Sequence, residues 1–91
     1  MFEDKTIAFI GSGVMGEAMI RGLLAQKRVL PNQILAADPW GQWREELNDR
    51  YGISTISDNR EAAENGQIVV LSIKPQTMHY VLPEIRGHLR R

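Results

Sequence analysis

Short apolar runs and helix-spaced apolar positions alternate along this chain. Thr6 to Ile10 is an apolar run that ends in glycine, the pattern of a strand buried on both faces of a parallel sheet. From Met15 onward, Met15, Ala18, Met19, Gly22 and Leu23 recur at helical spacing and predict one buried face, with Glu17 and Arg21 as an i,i+4 pair on the other side. Pro31-Asn32 breaks that helix, and Ile34 to Ala37 reads as a second strand closed by Asp38-Pro39. Trp43, Leu47 and Tyr51 stand one turn apart in a second predicted helix, Gln42 to Tyr51, and Gly52 follows where a left-handed cap is wanted. Ile53 to Ile56 predicts a third strand, and Asp58 with Glu61 predicts the capped start of a short helix that stops at Asn65-Gly66. Gln67 to Ile73 is the clearest strand, ended by Pro75, which cannot donate to a sheet ladder. Met78, Val81, Leu82, Ile85 and Leu89 then mark a fourth helix, which Pro83 is expected to kink or divide.

Four strand-helix alternations, with no linker, low-complexity tract or longer repeat, predict a single α/β domain over residues 1–91. The expected architecture is Rossmann-like: a parallel sheet in strand order 3-2-1-4, with right-handed crossovers placing helices on both faces.

Between the first strand and the first helix lies Gly11-Ser12-Gly13-Val14-Met15-Gly16. In such a G-x-G-x-x-G turn the first glycine allows a sharp bend and the second removes a side chain where a pyrophosphate would approach the backbone. The third permits close packing of helix on strand. The amides that open the helix have no carbonyl of their own to meet, and the helix dipole adds partial positive charge there, so the turn is suited to a phosphate. A glycine-rich turn alone is weak evidence, but this one directly follows a predicted strand, directly opens a predicted helix, and is followed about 20 residues on by an acid, Asp38. An acid there accepts from the ribose 2′-hydroxyl of NAD and repels the 2′-phosphate of NADP. The same residue would equally serve to start the Asp-Pro turn and cap the next helix. The nearest downstream arginine is Arg44.

Composition narrows the partners. Hydrophobic residues make up 43% and charged residues 24%, an ordinary globular balance. At 91 residues, folding buries only roughly 60 to 65% of the surface the unfolded chain exposes, so the stability margin is expected to be thin. Eleven basic residues match eleven acidic ones, so no overall field recruits nucleic acid or a membrane surface, and an anion must be captured by local geometry. The absence of cysteine excludes disulfides, thiolate metal sites and a cysteine nucleophile. Acids at Glu3 and Asp4 do not suit an export signal, and the apolar stretch near Ile68 to Ile73 is far shorter than the roughly 20 residues that span a bilayer. A cytoplasmic protein is the expectation.

With the turn, Asp38-Pro39, Asp58-Asn59 and the segment Val70-Leu71-Ser72-Ile73-Lys74-Pro75-Gln76 taken together, the chain resembles the N-terminal domain of pyrroline-5-carboxylate reductases over essentially its whole length. Met15 and Lys74-Pro75 carry the most specific part of the likeness. The resemblance implies hydride transfer from NADPH or NADH to 1-pyrroline-5-carboxylate, giving L-proline, the last step of proline biosynthesis. It implies that the segment Ser72, Ile73, Lys74 and Pro75 runs beside the nicotinamide end of the cofactor and that Asn59 contacts the adenosine end. Position alone agrees for Lys74, which follows the fourth strand at the edge where such sheets bind ligands, though a solvated lysine before a helix would look the same.

Family members are considerably longer, with further strands and a helical domain that dimerises and forms the substrate pocket. Relative to them the fold is expected to be truncated after the fourth strand and helix. No residue here is then catalytic, and turnover of pyrroline-5-carboxylate by the purified 91 residues would refute that expectation. The fourth strand would keep an apolar edge, Ile68 to Leu71, able to pair with a second copy in a homodimer.

The remaining features point less far. Trp40 and Trp43 could stack an adenine, but tryptophans at helical spacing more often pack into a core or its rim. His79 and His88 lack a metal-ligand pattern, the serines lack a hydrolytic arrangement, and Arg86, Arg90 and Arg91 read as a solvated tail. Two other identities stay open: the front half of a β-hydroxyacid or prephenate-type dehydrogenase, and a nucleotide-binding module that is not an enzyme.

Overall fold

The structure is a computed structural model that describes residues 5–11, 13–72 and 75–88, with only the backbone described for Val14, Pro75, Gln76, Thr77, His79 and Glu84. Ser12, Ile73, Lys74 and Leu89 lie outside the described residues. The elements run β1 (Ile7–Ile10), α1 (Val14–Ala25), a 3-10 turn (Pro31–Gln33), β2 (Ile34–Ala37), α2 (Gly41–Tyr51), β3 (Ser54–Ile56), α3 (Asn59–Asn65), β4 (Ile68–Leu71) and α4 (Pro75–Ile85).

All strands are parallel, in the order β3-β2-β1-β4, as the alternation of elements predicts. Ile10 pairs with Ala37 on one side and Leu71 on the other, and Ala37 pairs with Ile56. The carboxyl ends are therefore level, and Gly11, Asp38, Ser57 and Ser72 all emerge at one edge of the sheet. The chain walks outward from β1 to β3 and returns to β4 on the other side of β1. That reversal opens a crevice at the strand ends, where folds of this kind bind ligands.

Strand side chains alternate between two cores. Ile7, Phe9, Ile34 and Ala36 face α1 and α2, which supply Ile20, Leu47, Met19, Leu23, Leu24, Trp43 and Tyr51. Ala8, Ile10 and Ala37 face α3 and α4, which supply Ala62, Ala63, Val81 and Ile85. The second core is built largely from alanine, so its helices ride close to the sheet. At Gly66 the approach is tighter still: a Cβ there would stand 2.7 Å from the Ala8 Cβ.

Several expectations are corrected. The buried face of α1 does not run through Met15 and Gly22, since Met15 is 66% exposed and Ala18 and Gly22 are exposed. It runs through Gly16, Ile20, Leu23 and Leu24. Glycine at 16 is buried but contributes no apolar side chain to the pattern. Pro31 does not break α1, which ends at Ala25 with Lys27 in the left-handed region at φ 58°. There the Arg28 N–H donates to the Leu23 carbonyl and the Lys27 N–H to the Leu24 carbonyl, a paired closing bond that usually recruits glycine. α4 is not divided at Pro83. It runs unbroken to Ile85, because a proline in the last turn forfeits only one helical hydrogen bond. β4 is shorter than predicted, and Ile53 precedes β3 as a fully buried plug.

The other caps form as the sequence predicts. Gly52 closes α2 at φ 70°, and the Asp58 side chain accepts from the Arg60 N–H to open α3. That bond holds the Asp58 carboxyl below its ordinary pKa.

Candidate functional site

At the carboxyl edge, β1 passes into α1 through a bend that only its residue types permit. Gly11 sits at φ 75°, left-handed backbone that favours glycine, with its N–H donated to the Ala37 carbonyl at 3.0 Å. Its carbonyl accepts from the Ser72 hydroxyl at 2.9 Å. Ser72 is 7% exposed, and its N–H also donates to the Ile10 carbonyl, so the end of β4 clamps the turn from beneath. The sequence placed Ser72 beside a cofactor only through the family resemblance. In the structure its hydroxyl supports the turn.

Gly13 is the N-cap of α1, exposed, with no side-chain hydrogen bond capping the helix. The first helical bond runs from the Glu17 N–H to the Gly13 carbonyl. By helical geometry the amides of Val14, Met15 and Gly16 therefore have no acceptor within the helix. A Cβ placed on Gly13 would meet nothing within 4 Å among the described residues. The second glycine thus leaves an open approach to a row of donors at the positive end of a helix dipole, a combination that fits a diphosphate.

Beside this approach, Gly13, Asp38, Trp40 and Trp43 line a cleft of about 330 Å³. The Asp38 Oδ1 accepts from the Trp40 N–H at 2.9 Å, so the acid does start the turn into α2. It does not cap the helix, whose N-cap is Trp40, nor does turn formation occupy the whole carboxylate. No hydrogen bond to Oδ2 is present among the described residues. Arg44 folds back to donate to the Asp38 backbone carbonyl at 2.7 Å, so the arginine that is distant in sequence is adjacent in space.

The two tryptophans part company. Trp43 is half-buried against the core, with the Arg50 guanidinium 5.8 Å from its ring centroid, and meets the expectation of packing. Trp40 is 72% exposed. Periodicity does not separate them, since both fit the spacing of an amphipathic helix; Trp40 escapes burial because it is the N-cap, where the backbone is still extended.

Glu17 ties the two walls of the site together. Its Oε2 accepts from Arg50 at 2.6 Å and from the Tyr51 hydroxyl at 2.9 Å, fastening the first turns of α1 to the end of α2. The bond from Tyr51, and then those to Arg50, hold the Glu17 carboxyl below its ordinary pKa against the effect of burial. The predicted partner Arg21 contributes only a weaker, longer-range attraction. Of the remaining predicted site residues, Asn59 is half-buried at the start of α3 and does not line the cleft, and Pro75 opens α4. Ser12, Ile73 and Lys74 are among the residues not described.

The chain is similar to known reductases. It is 35% identical to the pyrroline-5-carboxylate reductase of Synechocystis over 93% of this chain and 32% of that protein. A solved pyrroline-5-carboxylate reductase from Coxiella burnetii superposes with a TM-score of 0.84 at 31% identity, covering 91% of this chain and 30% of that one. The Plasmodium falciparum pyrroline carboxylate reductase, solved with NADP bound, shares the fold with a TM-score of 0.81 at 23% identity, over 97% of this chain and 31% of that one. The chain thus spans about a third of the length of the relatives it matches. Residues 6–91, from the start of β1 through the glycine turn and the acid after β2 to the end of α4, match the family described as NADP oxidoreductase, coenzyme F420-dependent, and the chain belongs to that family.

Proposed function

We propose that residues 1–91 form the NAD(P)H-binding domain of a pyrroline-5-carboxylate reductase, with the substrate and dimerisation domain lying beyond them. The observation that carries this reading is the row of helix-opening amides beside Gly13, continuous with a cleft that Asp38 lines. Likeness to pyrroline-5-carboxylate reductases supports that destination over a β-hydroxyacid or prephenate-type dehydrogenase.

Each residue then has a task. The amides of Val14 to Gly16 hold the diphosphate, and Gly11 and Ser72 fix the turn that aims them. Asp38 receives the adenosine ribose. Asn59 would meet the adenosine half from the β3 side, and Ser72 to Pro75 would lie along the nicotinamide half. When bound, the dinucleotide supplies the hydride that reduces a cyclic imine to an amine. The proposal includes a cytoplasmic location, with which a chain free of cysteine is compatible. Among the described residues no helix is long and apolar enough to cross a membrane.

A parallel calorimetric titration with NADH and NADPH tests the cofactor reading. The Asp38 carboxylate should repel a 2′-phosphate, and screened repulsion between neighbouring charges is enough for roughly tenfold tighter binding of NADH. Selective binding of NADPH would contradict the role of Asp38 and point instead to Arg44.

A homodimer is part of the same proposal. β4 pairs only with β1 among the described strands, leaving an apolar edge along which Leu71 is 37% exposed. A second copy, or a further strand of the longer protein, would satisfy it. Sedimentation of the 91-residue chain should show mass rising with concentration, and a monomer at every concentration would remove the edge-paired dimer.

A further inference from the structure

Trp40 is a large apolar side chain left in water at the lip of a cleft, so a flat ring laid on it would remove apolar surface from water. Trp43 is committed elsewhere, packed on the core with Arg50 over its ring. Trp40 has no such engagement among the described residues, yet its backbone is pinned by the bond from its N–H to the Asp38 Oδ1. The acid that fixes the Trp40 backbone therefore also lines the cleft. Among the described residues, the lining apart from that acid and Gly13 is tryptophan. Its volume of about 330 Å³ lies at the small end of the ~300–1,000 Å³ usual for ligand clefts, suited to one ring system rather than a whole ligand.

We propose that Trp40 is the base-recognising residue of this chain: the adenine ring of the bound dinucleotide stacks on its indole while Asp38 takes the adjacent ribose hydroxyl. The inference rests on the dinucleotide reading above and adds the residue that grips the base. A flat, aromatic, uncharged ring is what an apolar cleft ending in a carboxylate accepts, and stacking on an indole needs no hydrogen-bond donors to read the base. Because every purine offers a π-face, stacking of this kind tolerates other purines in place of adenine. Binding the base would also cover the indole that the protein alone leaves exposed.

The test compares the 91-residue chain with its Trp40→Ala and Trp40→Phe variants, titrated calorimetrically with ADP and with inorganic pyrophosphate. Trp40 is exposed, so neither change is expected to unfold the chain, and circular dichroism checks this. Trp40→Ala should bind ADP roughly tenfold more weakly, in line with stacking losses seen when aromatic platforms are truncated. Trp40→Phe keeps an aromatic face and should stay within about threefold of the parent. Pyrophosphate, which has no base, should bind all three alike. Unchanged ADP binding by Trp40→Ala would overturn the stacking role while leaving the diphosphate site standing, as would equal losses for ADP and pyrophosphate. A parent chain that binds neither probe would sink the dinucleotide reading, and the role of Trp40 with it.

Discussion

Replacing Gly13 by valine is expected to weaken NADH binding about 100-fold or more while leaving the fold in place. Charge-assisted hydrogen bonds contribute about 1.5–3 kcal/mol each, so pushing a phosphate off two amides removes at least roughly two powers of ten in affinity. Gly13 has an ordinary φ of −73°, and a Cβ there meets nothing within 4 Å among the described residues, so the protein has room for the branch point of the new side chain. The space it would fill is the one proposed for the diphosphate. An apolar N-cap in place of glycine should cost about 1 kcal/mol at most, a melting shift of a few degrees. Calorimetry paired with thermal melting separates the two effects. Retained NADH affinity in a folded variant would show that no phosphate approaches this turn.

The second large effect is on stability alone. Gly66→Ala should lower the melting temperature by roughly 10 °C or more, because overpacking a filled site costs about 1–3 kcal/mol and each kilocalorie moves a domain of this size by about 4–8 °C. The added methyl would stand 2.7 Å from the Ala8 Cβ, 3.3 Å from the Ala8 nitrogen and 3.1 Å from the Ile68 carbonyl oxygen. Two of those atoms are backbone: the Ala8 nitrogen in β1, which paired strands hold on either side, and the Ile68 oxygen in β4, which pairs with β1. Gly22→Ala is the control. That glycine is exposed inside α1 with open space around it, and alanine there should raise stability by about 0.5–1 kcal/mol through helix propensity. Thermal melts of the two variants that fail to move in opposite directions would contradict the packing described for α3 on the sheet.

The comparison of these glycines bears on what the sequence could convey. Runs such as Ile7 to Ile10 and Ile34 to Ala37 are legible as strands because burial on both faces demands unbroken apolarity. Strand order followed from connection rules, and Gly52 and Asp58 announced their caps by residue type. Where a glycine replaces a side chain the signal vanishes. Gly16 lies on the buried face of α1 and Gly66 where a Cβ would crowd Ala8, yet neither adds to a hydrophobic period, so the apolar spacing of α1 predicts a face rotated toward Met15.

Lys27 adopts the left-handed conformation that residue type reserves for glycine, so the sequence predicts the end of α1 at Pro31 instead. Long-range contacts are the other gap. The Ser72 hydroxyl on Gly11, Arg44 on the Asp38 carbonyl and Tyr51 on Glu17 join residues that no local pattern relates. The glycine turn and its acid stand out in the sequence as a candidate ligand site, whereas the residues that brace them emerge only from the folded chain.

Backbone amide NMR during a titration with NADH addresses the grip on the diphosphate most directly. Saturable shifts concentrated at Gly13 to Gly16, with a second group at Asp38 and Trp40, are the predicted result. Saturation with NADH that leaves the amides of Gly13 to Gly16 unmoved, or a folded sample that shows no shifts at millimolar ligand, would contradict it.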